Sequence, residues 1–217
     1  MNFLAIIDYE HLDNAIFLKS FSEAIAEQQG TRGIILHGDS QYTDRLIQTG
    51  MMSDDARQRS IKDLNHRLIA LMADSGVAAV GMNGYQRNMI SYDGTTLDLD
   101  TNLLVKFPVR THLLLSNLIE DNRTQKPFAY DLANLASSLY RELDIDEVFI
   151  FSKNEADESL TDSSMPKMLR FRELDTEFKN TTLPEDLLGL NVPYRLATTR
   201  SFRKLPEVGD TVLITPD

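Results

Sequence analysis

The sequence predicts a three-layer α/β/α sandwich around a mainly parallel sheet. Short apolar runs alternate with amphipathic stretches at helical spacing along most of the chain, and a Gly- and Asp-containing hairpin signal interrupts that alternation in the middle. The first run, Phe3 to Ile7, reads as a buried strand. Asp13 then caps a helix from Asn14 to about Gln29, with Ile16, Phe17, Phe21, Ala24 and Ile25 on one stripe. Gly33 to Leu36 forms a second buried strand, followed by a polar helix over Tyr42 to Gln48. A longer helix from about Asp55 to Asp74 carries Ile61, Leu64, Leu68, Ile69, Leu71 and Met72, and Val77 to Met82 is the third strand. Strand, helix, strand, helices, strand is the order that builds parallel pairing through right-handed crossovers.

Beyond Gly84 the period shortens: Met89 to Tyr92 and Thr95 to Asp98 flank Asp93-Gly94 and form a hairpin. Leu113 to Leu118 is a further core strand, Ala129 to Leu143 an amphipathic helix, and Val148 to Phe151 a return to the sheet. Ser152 to Ser164 is acidic and almost free of large apolar residues, so a mobile loop is expected there. The chain closes with a weak helix near Phe171 to Phe178 and strands near Tyr194 to Thr199 and Thr211 to Thr215.

With 217 residues, 42% of them hydrophobic, the chain can bury a sizeable core as one domain. Its 22 Lys and Arg stand against 33 Asp and Glu, a net charge of −11. That field repels a phosphate backbone and argues against nucleic-acid binding. It also makes any anionic ligand depend on local cations or helix N-termini. The absence of cysteine excludes disulfides, thiolate metal sites and a Cys nucleophile. The apolar N-terminal run is too short for a leader or a membrane span, so a cytoplasmic protein without membrane contact is expected.

Three segments carry the functional reading. His37-Gly38-Asp39-Ser40 ends the second strand, Val80-Gly81-Met82-Asn83-Gly84 ends the third, and Ala129-Tyr130-Asp131 opens a helix continuing DLANLASSLY. In this order and spacing they resemble the amino acid kinase superfamily, above all acetylglutamate kinase, over roughly two-thirds of the chain. The resemblance implies ATP-dependent phosphorylation of an acyl-amino-acid carboxylate, with ATP and Mg²⁺ as cofactors, and a homodimer or a pairing with a related kinase subunit. It places Gly38, Asp39, Ser40, Gly81, Asn83 and Gly84 at the substrate and makes Asp131 the catalytic aspartate that organises lysines. It also implies a substrate-side half over 1–151 and a reduced nucleotide-side remnant over 152–217.

The first strand departs from the family pattern: Asp8 stands at the position of its lysine, and Glu10 and His11 at the positions of its paired glycines. Phosphoryl transfer needs positioned cations and close backbone N–H groups, so a carboxylate there removes attraction and adds repulsion. Asp39 and Ser40 replace two further glycines. The family's substrate arginine has only Arg57 or Arg59 to stand in for it, and its late lysine has no convincing equivalent. Phosphoryl transfer is therefore expected to be weak or lost, leaving the binding of a small acidic metabolite or subunit pairing. The alternative is an active kinase in which Lys19, Lys153 or Lys167 replaces the missing lysines. An unrelated hydrolase ranks last, since no nucleophile elbow is present.

Plainer roles stand beside these. His37 can simply cap its turn, Asp131 can act as a helix cap, and Gly81 and Gly84 can serve only the backbone. Asp8 with Glu10 could form a carboxylate pair for acid–base work or Mg²⁺, although adjacent acids are usually solvated. His11, His66 and His112 have no ligand spacing, so no metal is expected. Met51 and Met52 read as core filling.

Overall fold

The computed structural model describes residues 1–28, 30–106, 108, 110–154 and 166–216. Strand β1 (Asn2–Ile7) is the apolar N-terminal run, buried from Phe3 onward. It lies between β2 (Arg32–His37) and β9 (Glu147–Phe151), parallel to both. Because side chains alternate across a strand, Phe3, Ala5 and Ile7 face one layer and Leu4 and Ile6 the other. The first layer holds α1 (Ala15–Glu27), α3 (Ser53–Asp74) and α7 (Thr199–Phe202), packed through Phe17, Phe21, Leu64, Leu68 and Phe202. The second holds α5 (Leu132–Glu142), whose Leu135, Ala136 and Leu139 are fully buried against the opposite face.

The central sheet has eight strands in the order β10-β12-β11-β9-β1-β2-β6-β3. Its remaining members are β3 (Ala79–Asn83), β6 (His112–Ser116), β10 (Met168–Arg170), β11 (Tyr194–Ala197) and β12 (Val212–Thr215), and only β11 and β12 pair antiparallel. The expected sandwich around a mainly parallel sheet is thus the observed fold. A second sheet, ordered β5-β4-β7-β8, comprises β4 (Ile90–Tyr92), β5 (Leu97–Leu99), β7 (Leu118–Asp121) and β8 (Lys126–Ala129). Its β4–β5 hairpin turns at Asp93-Gly94, where the Asp93 carboxylate accepts from the N–H groups of Thr95 and Thr96 and Gly94 has φ 99°. The polar helix is α2 (Gln41–Gln48). Among the described residues no helix is long and apolar enough to cross a membrane.

Several expectations need correction. Asn14, not Asp13, caps α1: its side chain accepts from the N–H groups of Ile16 and Phe17, while Asp13 lies in a preceding 3-10 turn. Ile16 lies off the buried stripe and is 81% exposed. The helix ends at Glu27, before Gln29. The strand expected over Leu113 to Leu118 breaks after Ser116, because Asn117 turns the chain and Leu118 starts β7. Ala129 ends β8, so α5 begins at Leu132. The weak C-terminal helix is a 3-10 turn over Phe171–Glu173 followed by α6 (Thr176–Thr182), which Asp175 caps through the Phe178 N–H. The strand expected to reach Thr199 stops at Ala197, where Thr198 caps α7. Met52 is 76% exposed and fills no core. Short α4 (Thr101–Val105), β7, β8 and β10 were not expected from the sequence. The acidic loop falls mainly on residues 155–165, outside the described residues.

Candidate functional site

Parallel sheets of this kind offer a ligand crevice at the carboxyl ends of their strands. At the end of β1, Asp8 is fully buried, not solvated. One carboxylate oxygen accepts from the backbone N–H groups of Glu10 (3.0 Å) and His11 (3.3 Å), and the other contacts His11 Nδ1. His11 Nε2 lies 3.1 Å from the Ser152 carbonyl just beyond β9. Both ring nitrogens face acceptors, the pattern of an imidazolium, and His11 thereby ties the end of β1 to the end of β9. Glu10 faces outward and meets Lys153 Nζ at 3.5 Å, while Lys153 also reaches the Asn180 carbonyl at 3.4 Å. Asp8 and Glu10 therefore serve separate partners and do not form a carboxylate pair.

At the end of β2, His37 is fully buried, with Nδ1 3.0 Å from the Gly38 carbonyl and Nε2 3.1 Å from Asn65 Nδ2. The amide donates to Nε2, so the proton is on Nδ1. Burial pushes the pKa of His37 down to about 4, so the ring is neutral at neutral pH. Its role is that of a turn cap. A side chain on Gly38 would reach contact with Asn117 Nδ2, at 3.4 Å. Asp39 accepts from Arg57 Nε at 3.0 Å, and buried Ser40 caps α2 by accepting from the Tyr42 N–H. Arg59 instead faces Asp63 at 3.7 Å.

The end of β3 is built by packing. A Cβ at Gly81 would lie 2.4 Å from Asn65 Oδ1, and one at Gly84 would lie 2.8 Å from the Leu118 carbonyl, so α3 and the β7 turn approach only because these are glycines. Asn83 Oδ1 accepts from Ser116 Oγ at 2.8 Å, and its N–H donates to Gln86 Oε1 at 2.7 Å. Asp131 is exposed and caps α5 through the Asn134 N–H at 2.7 Å. Of the candidate lysines, Lys19 lies on the α1 surface beside Glu23 and Lys167 precedes β10; only Lys153 reaches the strand ends.

Three further groups complete the crevice. The Tyr9 hydroxyl donates to Asp44 at 2.7 Å, and the Tyr9 N–H donates to Asp186 at 3.2 Å. Burial and the charges of Asp44, Asp39 and Asp13 push the Tyr9 phenol above its usual range. Although Asp186 as a residue is exposed, its carboxyl lies against the strand ends. Desolvation there, reinforced by the charges of Asp8 and Asp39, pushes its pKa up to about 6. Asn117 donates from Nδ2 to the Tyr130 carbonyl at 2.6 Å, while its buried Oδ1 has no hydrogen-bond partner among the described residues. A polar residue directly after the run Leu113 to Ser116 was the signal available for Asn117; Asp186 carries none, because it reaches β1 from a segment far along the chain. Beside the Asp39–Arg57 pair opens a cavity of about 470 Å³ between Asp54, Arg57 and Gln58 of α3 and the β7–β8 hairpin, with Lys126 at its wall.

An adenosine triphosphate with Mg²⁺ does not fit the charges of this crevice. Asp39, Asp44 and Asp186 gather at these strand ends near buried Asp8, and the cations Arg57 and Lys153 there already face carboxylates. Among the described residues no three His, Asp or Glu side chains converge to hold a metal ion.

No protein-family model matches the sequence, and no curated protein sequence is significantly similar to it. Solved structures share its fold at low identity. An isopentenyl phosphate kinase superposes with a TM-score of 0.66 at 13% identity over 99% of both chains. An aspartate kinase from Synechocystis gives 0.69 at 11% identity, matching all of this chain and 40% of its own. An N-acetylglutamate synthase from Neisseria gonorrhoeae, complexed with coenzyme A and N-acetyl-glutamate, gives 0.66 at 17% identity over 59% of its length. The chain thus spans 99% of the first solved chain but less than two-thirds of the other two. Its architecture is that of amino acid kinase-like proteins.

Proposed function

We propose that this chain uses an amino acid kinase-like fold for binding and that phosphoryl transfer to an acyl-amino-acid carboxylate, the reaction its acetylglutamate kinase-like motifs imply, is weak or lost. The observation that carries this reading is Asp8: a buried carboxylate, held by two backbone N–H groups and His11, occupies the strand end where the motif comparison expects a lysine. Exchanging a cation for an anion at contact distance changes the interaction with a phosphate by ~1–4 kcal/mol per screened charge pair, and Asp39, in place of a glycine, adds a further negative charge. The ligand left to bind is a small acidic metabolite, for which Lys126 supplies a cation at the 470 Å³ cavity, whose wall also holds Arg57, paired with Asp39, and the carboxylates of Asp54, Asp55 and Asp121. Pairing with a second copy or with a related kinase subunit is the other use this reading allows.

Thermal melting with and without Mg·ATP, and separately with acetylglutamate and related acidic amino acids, tests it, because a ligand specific to the folded state raises the melting temperature. The expected result is no response to Mg·ATP and a rise with an acidic amino acid. A rise with Mg·ATP would overturn the proposal in favour of an active kinase with relocated lysines. Lys153 carries that second reading, since its Nζ is held at the strand ends by Glu10 and Asn180; Lys153→Ala would then abolish the ATP response.

A further inference from the structure

The amino ends of β2, β6 and β3 open on a separate cavity of about 790 Å³, at the end of the sheet opposite the crevice. The connections that follow α1 and α3 form its walls, and Ile25, Ala26, Val77 and Ala78 give it an apolar lining. Two polar side chains of the wall are already engaged. Gln28 Nε2 donates to the Phe202 carbonyl at 2.9 Å, and Thr31 Oγ1 donates to Gln28 Oε1 at 3.2 Å. His112 and Arg110 are the two side chains left to meet a ligand.

His112 opens β6 and is only 6% exposed. Its backbone N–H donates to the Ala78 carbonyl at 2.9 Å, and its ring stands beside that of Phe3 with centroids 5.9 Å apart. Nδ1 accepts from the Gly33 N–H at 3.1 Å, which places the ring proton on Nε2. That Nε2–H has no hydrogen-bond partner among the described residues, although His112 lines the cavity. A donor left unpaired at so buried a position is costly and calls for an acceptor. Arg110 lines the same cavity, is exposed, and forms no ion pair or hydrogen bond with the described residues.

The chemistry of these two groups selects the ligand. A guanidinium and an Nε2–H donate and cannot accept, and the described lining holds no carboxylate, so the ligand must bring the acceptors. Arg110 supplies one positive charge and His112 none, because burial pushes its pKa down to about 4 and leaves the ring neutral at neutral pH. Helices α1 and α3 end beside the cavity, and the negative ends of their dipoles oppose a second negative charge on the ligand. A phosphate dianion is disfavoured on that count. A carboxylate matches the single charge, and a guanidinium grips it through two parallel hydrogen bonds.

We propose that this cavity binds a small monocarboxylate with an aliphatic body, its carboxylate held by the Arg110 guanidinium and the His112 Nε2–H and its hydrocarbon part lying against Ile25, Ala26, Val77 and Ala78. An apolar hollow with a few aimed polar groups is the usual form of a small-molecule site. It lies apart from the strand-end crevice and does not depend on the function proposed there.

The probe is hexanoate, titrated into the full chain by calorimetry at neutral pH beside hexanol and hexyl phosphate. Hexanoate is expected to bind about tenfold or more tightly than either, and Arg110→Ala, which changes an exposed and unpaired side chain, to lose about that factor. His112→Asn keeps an acceptor for the Gly33 N–H and deletes the Nε2–H, so it should weaken hexanoate severalfold and leave hexanol unchanged. In nitrogen NMR spectra hexanoate should shift the His112 Nε2 resonance, identified by its loss in His112→Asn, and leave that of His37 in place. The proposal is overturned if hexanoate does not bind, if hexanol or hexyl phosphate binds as tightly, or if the His112 resonance does not respond. It is also overturned if Arg110→Ala or a folded His112→Asn binds hexanoate as the parent chain does. Loss of hexanoate binding in Lys126→Ala would overturn it too, by assigning the ligand to the cavity beside the Asp39–Arg57 pair.

Discussion

Asp8 shows how one residue can change what a strand end is able to do. Its side chain is fully buried and spends its hydrogen-bonding capacity on the turn that follows and on His11. Replacing one partner of a buried charge pair strands the other, a loss of roughly 3–5 kcal/mol. Asp8→Ala is therefore expected to lower unfolding free energy by about 3 kcal/mol or more in urea titrations. A loss below about 1 kcal/mol, the worth of an exposed pair, would show that the contact holds nothing together. Gly81 tests the opposite kind of constraint. Its missing side chain lets α3 lie on β3, and a methyl group there would press on Asn65 Oδ1 at 2.4 Å and Ile69 Cγ1 at 2.8 Å. Asn65 in turn holds His37, so Gly81→Ala should destabilise by about 1–3 kcal/mol, the range for overpacking. An unchanged urea midpoint would mean that α3 moves aside freely.

Strands β2 and β6 carry the pH response of the fold, because each bears a buried histidine, His37 at the end of one and His112 at the start of the other. Desolvation pushes both down to about 4 from an ordinary 6.5, and His112 Nδ1 accepts from the Gly33 N–H. Between those values the unfolded chain binds more protons than the native one, so stability falls as pH falls from about 6.5 towards about 4. Asp186 acts in the opposite sense. Its folded pKa is about 6 against 3.8, so the native state holds the extra proton and gains stability as pH falls through the same region. Two histidines outweigh one carboxylate of similar shift. The urea midpoint should therefore be lower at pH 5 than at pH 7, and His112→Asn should reduce that difference; a higher midpoint at pH 5 would refute the assignment. The longer elements were legible in the sequence because several turns of periodicity mark them, as with Ile61, Leu64, Leu68 and Met72 on α3. Strands of three or four residues, such as β7, β8 and β10, contain too few alternations to stand out, and they form through partners elsewhere in the chain. The crevice was half legible for the same reason. Gly38, Asp39 and Ser40 adjoin in one motif and were named through the family resemblance, whereas the ties from His11 to Ser152 and from Tyr9 to Asp186 cross long stretches of sequence.

At the scale of the molecule the dominant unbalanced quantity is charge. The excess of 33 acidic over 22 basic residues is spread along the chain, and folding gathers Asp8, Asp39, Asp44 and Asp186 around Tyr9 at one end of the sheet. Salt acts on two opposed contributions. It weakens surface pairs such as Lys19–Glu23 and Arg59–Asp63, each worth about 0.2–1 kcal/mol at most. It also screens the self-repulsion of the compact anion, and raising salt from about 0.01 M to about 1 M shortens the Debye length from about 30 Å to about 3 Å. Repulsion among an excess of −11 outweighs a handful of half-solvated pairs, so the melting temperature at neutral pH is expected to rise with NaCl. Salting-out of apolar surface would raise it as well, and the strand-end carboxylates separate the two effects. Asp44→Asn with Asp186→Asn removes two of the crowded groups without altering the apolar core, so the salt-dependent rise should shrink in that variant. An equal rise in both proteins would assign the effect to the apolar surface, and a falling melting temperature would mean that the paired charges, not the excess, govern the stability of this fold.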